Sequence, residues 1–421
     1  SRRNTPYPDA SQALDLGLKH LGRLRRDFIQ FFTMLAVFPA SFDLAAVADV
    51  WALKAPLAHD VMDVLLARNM VIREGDRFRL HDLMRGAAQR AIGIKELTEA
   101  GRRHAQHYCK VLAKAEEFFT QGKAGMRQGL SLFDQEWGNI NAGQAWAVKH
   151  WEEDRVLTRV VSDYFDLSPS ILDLRQSPRI RVQWGEVALA AANRLGYRKT
   201  QSRHLCNTAL AYTGLNDISR AIEYCKQALA LARESNARRE EGQSLSILGK
   251  VCAIQGRTRR AISYFRQHLE ITRETGDRRG EGKALGDLGN ANATLGEARE
   301  ALTQYQQSLA IACEIDDLCG EGEAHRNLGS AYVELGEIEN AIESYEASLA
   351  VAREMEDLRR EALSLYGLAK ALKYGHNESL DHKMALSHLQ EAIAIFEMIE
   401  DSAAQSCRLL YEEWRREPTM G

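Results

Sequence analysis

The groupings in this chain that could carry chemistry are few, and most fail on spacing. Gly122-Lys123 has the glycine–lysine step of a phosphate-binding loop, where backbone amides and a lysine charge cradle a nucleotide. The upstream glycine and the following hydroxyl are missing, and no GxxxxGK[ST] motif occurs anywhere in the chain. Gly280-Glu281-Gly282 with Gly286 has part of the spacing of a dinucleotide-binding turn, which must follow a strand. Here the same grouping recurs as Gly320-Glu321-Gly322, the mark of a repeat turn. His204 and Cys206 are two ligand types side by side, but no second pair stands at zinc spacing, and neither HExxH nor GxSxG occurs. The seven cysteines (109, 206, 225, 252, 313, 319 and 407) form no CxxC pair, as expected of reduced thiols in a cytoplasmic protein. The chain is therefore expected to be no enzyme and to hold no metal or cofactor of its own. His81, at the end of a predicted strand, is the remaining candidate, and its role depends on the elements around it.

Those elements divide into two patterns. In the second half a block of forty residues recurs: Gly249, Gly289 and Gly329; Ala221, Ala261, Ala301 and Ala341; Gly256, Gly296 and Gly336. Such fixed spacing marks supersecondary units stacked on a shared core. One block reads as a helix near 281–295 ended by Gly296, then a helix from Ala298 to Glu314, with apolar and small residues at helical spacing. Small residues at Gly289 and Ala301 are expected to let the two backbones approach. Asp277, Asp317 and Asp357 stand where an N-terminal cap is needed. No proline falls between Arg179 and Glu417, in keeping with an unbroken helical array. Trp184 to Asn193 reads as the second helix of a degenerate earlier unit.

The first hundred residues differ. A long amphipathic helix, Ala13 to Val37, is expected to stop at Phe38-Pro39. Helices follow near 42–53, capped by Ser41 or Asp43, and near 58–68. Met70 to Arg73 and Arg77 to Leu80 flank a tight Glu74-Gly75-Asp76 turn, predicting a hairpin, and a helix starts at Asp82 as its cap. This order predicts a winged helix-turn-helix. The Trp-rich stretch to Arg181 predicts helices packed through Trp137, Trp146 and Trp151.

Bulk properties exclude other classes. Net charge is −3 and charged residues are 27% of the chain, so nothing advertises nucleic acid or a membrane surface. The longest apolar run, near 31–38, is too short to span a bilayer. Asp60 and Asp63 on the candidate recognition helix would repel phosphates. Ser1 in first position reads as the start of a cut fragment or as a tag scar.

The segments Leu288-Gly289, Gly296, Ala301 and Tyr305, and again Leu328-Gly329, Gly336, Ala341 and Tyr345, resemble tetratricopeptide repeats in a long-helix, forty-residue form. "FFTMLAVFP", "LLARNMVI" and "FRLHDLMRGAA" resemble the winged-helix domain of the NB-ARC (STAND) signal-transduction ATPases, with Leu80 in the methionine position of their Met-His-Asp signature. The resemblance implies that His81 reaches the phosphate of bound ADP, given a nucleotide-binding module upstream of Ser1, and that ADP and ATP belong to the parent protein. The repeat register places Arg203, Gln243, Lys250, Lys283, Asn290, Glu323, Arg326, Glu334, Lys370, Lys373 and Tyr374 on a concave face, a mixed polar lining with a basic bias suited to a somewhat acidic peptide or a partner protein.

The expected architecture is mainly α: a winged helix-turn-helix over 1–93, a helical linker over 94–181, an α-solenoid of tetratricopeptide repeats over 182–402 and a tail or capping helix over 403–421. The expected function is the sensor part of a STAND signalling ATPase. Alternatives are a plain adaptor without nucleotide linkage, or a winged-helix transcription regulator.

Overall fold

The computed structural model describes residues 26–373, 378–399, 401 and 403–416. It is mainly helical, with one two-stranded antiparallel sheet among the described residues. Close packing divides the chain into two units. The first comprises residues up to Glu117, Gln128–Ile171 and Glu186–Gly196; the second comprises Phe118–Arg127, Leu172–Gly185 and Tyr197 onward. Both units are discontinuous in sequence.

In the first unit, helix α1 (Arg26–Met34) runs into a 3-10 turn, Leu35–Val37. Phe38 then turns to extended backbone (φ −88°, ψ 110°), because Pro39 excludes the helical conformation from the residue before it. The start of the expected long helix lies outside the described residues. Helix α2 (Leu44–Trp51) is capped by Asp43, which accepts from the Ala46 amide at 2.7 Å. Helix α3 (Ala55–Leu66) precedes strands β1 (Ile72–Glu74) and β2 (Arg77–Arg79), and α4 (Asp82–Ala91) follows them. Phe42 and Phe78 exchange backbone hydrogen bonds at 2.8 and 2.9 Å, adding a one-residue third strand beside β2. The rings of Phe38 and Phe42 stack at 4.2 Å beneath it. Two long helices, α5 (Ile94–Phe119) and α6 (Gly122–His150), then supply packing surface. Gly101 on α5 seats the Trp146 ring of α6, where a Cβ would come within 2.2 Å of the indole. Helices α7 (Arg155–Asp166), α8 (Pro169–Arg175) and α9 (Pro178–Leu195) complete this stretch. Trp184 and Asn193 lie on α9, one continuous helix divided between the two units.

The second unit is built on consecutive helix pairs: α10 (Arg198–Gly214) with α11 (Ile218–Glu234), α12 (Arg238–Ile254) with α13 (Thr258–Thr275), α14 (Arg278–Thr294) with α15 (Ala298–Glu314), α16 (Leu318–Leu335) with α17 (Ile338–Glu354), and α18 (Leu358–Lys373) with α19 (Glu378–Met398). Helix α20 (Ala403–Arg416) follows and buries Cys407 and Trp414 in the last core cluster. Helices of 17 residues and short turns fill the forty-residue period. The turn inside each of the first four pairs holds a left-handed residue. Gly256, Gly296 and Gly336 supply it at φ 71°, 79° and 77°; Asn216 takes the same place at φ 58°, a conformation asparagine tolerates.

The glycine ladder has a more specific purpose than letting backbones approach. A Cβ on Gly249 would lie 2.3 Å from the Phe265 ring, and one on Gly289 would lie 2.4 Å from the Tyr305 ring. The Tyr345 ring lies between Gly329 and Gly367, with a Cβ on either closer than 3 Å. Each glycine is thus a seat for an aromatic of the second helix. Ala221, Ala261, Ala301 and Ala341 are fully buried. Of the expected caps, Asp277 accepts from the Gly280 amide and Asp357 from the Arg360 amide, each at 3.0 Å. Asp317 makes no cap bond; its carboxylate faces Arg279 at 3.2 Å instead.

Candidate ligand-binding face

First helices of neighbouring pairs touch one another (α10 with α12, α12 with α14, α14 with α16, α16 with α18) more closely than the second helices do. The stack therefore closes on the first-helix side, and that side is the inner face.

Its centre carries a row of partly exposed charges around the buried Asp287. Lys250 Nζ lies 3.4 Å from Asp287 Oδ1, and Ser246 Oγ donates to Asp287 Oδ2 at 3.2 Å. The Asp287 charge raises the Lys250 pKa. Burial works against the Glu323 carboxylate, yet Lys250, Arg360, Arg326 and Lys283 together hold its pKa below the usual carboxylate value. Burial, with Lys250 and Lys283 nearby, pushes the His268 imidazole down to about 4, so it stays neutral at physiological pH. At one end Arg203 Nη1 approaches Glu240 Oε1 at 3.7 Å. At the other, Lys370 lies over the Tyr366 ring at 5.6 Å, while Lys373 meets His382 Nδ1 at 3.2 Å and the Trp414 ring at 5.8 Å.

The structure thus brings Lys250, Lys283, Glu323 and Arg326 into one row and gives them internal counter-charges. The basic bias read from the sequence is largely neutralised there, because Asp287, absent from the expected lining, sits among the cations. The register equivalents of Asp287 are Ile247, Asn327 and Gly367, so an acid at this buried position departs from the repeat. Gln243, Lys283, Asn290 and Glu334 are exposed. Asn290 has a packing duty as well, its Oδ1 accepting from Tyr305 OH at 2.8 Å; Ser330 meets Tyr345 OH in the same way at 2.8 Å. Tyr374 lies outside the described residues.

His81 is exposed and is itself the N-cap of α4, its Nδ1 accepting from the Leu83 amide at 3.3 Å. The cap role expected of Asp82 therefore belongs to His81, and Asp82 is the first helical residue, paired with Arg85 at 3.3 Å. Asp60 and Asp63 are exposed on α3. His204 and Cys206 are both buried, and Cys206 lies 3.1 Å from Ser244 Oγ. Among the described residues no cluster of three metal-ligating side chains forms, and no helix is long and apolar enough to cross a membrane.

Comparison with known proteins agrees with the helix-pair geometry. Tetratricopeptide repeat models match residues 205–235, 240–314 and 324–359. The matched stretches of the second unit are thus tetratricopeptide repeats. No curated protein sequence matches the chain. Among solved structures, a Signal Transduction ATPase with Numerous Domains bearing a tetratricopeptide repeat sensor, from Pyrococcus horikoshii, is similar over 98% of this chain at 15% identity and a TM-score of 0.50. This chain spans 66% of the length of that structure. A Rap protein complexed with competence and sporulation factor is similar over 76% of this chain and 97% of its own, at 14% identity and a TM-score of 0.48. Aspartyl phosphate phosphatase F from Bacillus subtilis matches over 76% of this chain and 95% of its own, at 11% identity and a TM-score of 0.44.

Proposed function

We propose that this chain is the sensor portion of a STAND-type signalling ATPase and that its repeats capture a protein or peptide on the inner face. The observation that carries the capture is the row formed by Lys250, Asp287, Lys283, Glu323 and Arg326, a line of fixed charges along touching first helices. Charged groups fixed along a groove confer orientation and specificity more than raw affinity. The favoured ligand is an extended segment with charges of both signs, acidic toward the Lys370 end. The face does no chemistry of its own, and this chain holds no cofactor. Support for the STAND context is the likeness in fold to the archaeal ATPase together with the signature around His81.

The test uses a peptide selected from a random library on the purified chain. Arg326→Glu with Lys370→Glu is expected to weaken its binding in calorimetry by at least about tenfold, with helicity unchanged. Unaltered affinity removes the inner-face reading. The nucleotide link makes a separate demand. In a protein with a nucleotide-binding module ahead of residue 1, His81→Ala should speed ADP release by about tenfold, the worth of one charge-assisted hydrogen bond. Undiminished ADP retention would leave an adaptor without a nucleotide switch.

A further inference from the structure

One edge of the repeat stack carries an ion-pair ladder with missing members. Arg198 meets Glu234 at 2.8 Å, Arg238 meets Glu274 at 2.5 Å, and Arg278 meets Glu314 in the same way. A second series links Arg233 to Glu241 at 2.9 Å, Arg273 to Glu281 at 2.8 Å and Arg353 to Glu361 at 2.7 Å. Arg238 and Arg278 also reach Glu241 and Glu281, at 2.7 and 2.6 Å. The forty-residue register places the next members at Cys313, Leu318, Glu321 and Glu354. Both arginines are gone, and both carboxylates remain.

Those carboxylates are taken by residues about two hundred positions earlier in the chain. Lys123 Nζ lies 3.0 Å from Glu321 Oε2, and Arg127 Nη2 lies 2.6 Å from Glu354 Oε1. Lys123 and Arg127 are one helical turn apart at the start of α6, so both project from the same side. The approach is close: Gly122 has φ +83°, and a Cβ there would lie 3.1 Å from Asp316 Cβ. Leu318 is 1% exposed, whereas Leu358, its counterpart in the next repeat, is 39% exposed. The repeat position alone does not bury this side chain.

We propose that the edge formed by Asp316, Leu318, Glu321 and Glu354 is a docking site for a helix presenting two cations one turn apart, and that Phe118–Arg127 is its resident, releasable occupant. Losing the two in-repeat arginines leaves a pair of carboxylates at the spacing that such a helix satisfies. The Arg127–Glu354 pair is exposed, and exposed ion pairs hold weakly and are screened by salt, so that end of the seat suits exchange more than permanent attachment. A partner helix with the same basic spacing competes for the same carboxylates. None of these residues belongs to the inner-face row, and the inference stands apart from ligand capture there.

Hydrogen exchange on the full chain tests it. Lys123→Glu with Arg127→Glu should raise exchange between Phe118 and Leu130 by at least about tenfold in low salt, with α14 and α15 unchanged. Adding Glu321→Lys and Glu354→Arg to that variant should restore protection. Cys313→Arg, on an exposed site, rebuilds an in-repeat partner for Glu321 and should raise exchange in the same segment on its own. Exchange that ignores both the reversal and Cys313→Arg, or a charge swap that restores nothing while the repeats stay folded, overturns the proposal.

Discussion

Gly289→Ala is expected to destabilise the repeat stack by about 2 kcal/mol, while Gly286→Ala, on the same helix, is expected to stabilise it by up to about 1 kcal/mol. Helix propensity favours alanine at both sites, so their difference isolates packing. At Gly286 the new methyl meets only Ser308 Oγ, at 3.6 Å, an ordinary contact. At Gly289 it lands 2.4 Å from the Tyr305 ring, which must move. That ring is not free to do so, being 3% exposed with its hydroxyl held by Asn290 Oδ1 at 2.8 Å. Core interiors are packed too densely for a ring to yield an ångström without loss. The expected loss lowers the midpoint of thermal unfolding, followed by far-ultraviolet circular dichroism, by roughly 4–8 °C. Equal midpoints for the two variants would mean that the ladder is not a row of ring seats.

The second large effect belongs to the first unit. Glu136→Ala is expected to cost about 3 kcal/mol or more, because it leaves a buried arginine without its counter-charge. Arg77 and Glu136 are 12% and 5% exposed. Arg77 Nη2 donates to Glu136 Oε2 at 3.0 Å and to the Ser41 carbonyl at 2.7 Å, and Asn139 Nδ2 reaches both acceptors, at 3.1 and 2.8 Å. Burial opposes the Arg77 charge, but the hydrogen bond and charge of Glu136 outweigh it and raise its pKa. The network ties β2 and the turn before α2 to α6. Arg77→Met combined with Glu136→Leu should recover most of the loss, since an apolar pair can replace a buried ion pair of similar volume. Denaturant unfolding followed by tryptophan fluorescence reads this unit, which holds Trp51, Trp137, Trp146 and Trp151. A single variant as stable as the parent would show that water already solvates Arg77.

The repeat was legible because its period is a spacing of residue types, and helix formation is local. The second helix expected from Ala298 to Glu314 has those ends in the structure. The caps at Asp277 and Asp357 follow from the same local chemistry, whereas Asp317 is drawn to Arg279, a partner that only the fold supplies. The ring seats were half legible: glycine marked a close approach, but not what approached. On the inner face, the register pointed to the cations and not to Asp287, because an acidic residue at a buried position reads as an anomaly until its neighbours are known. Cys313 and Leu318 stand out against arginine once the blocks are aligned, but nothing local to Lys123 or Arg127 points to Glu321 or Glu354. Contacts across two hundred residues leave no periodic trace. His81 was singled out by its neighbours in sequence, while its capping of α4 needed backbone geometry.

Hydrogen exchange on the chain with and without the selected peptide shows whether touching first helices form the binding face. The expected result is slowed exchange in Arg238–Ile254, Arg278–Thr294 and Leu318–Leu335, with Thr258–Thr275 and Ala298–Glu314 little changed. Protection confined to those second helices, or to the unit that contains His81, would contradict it.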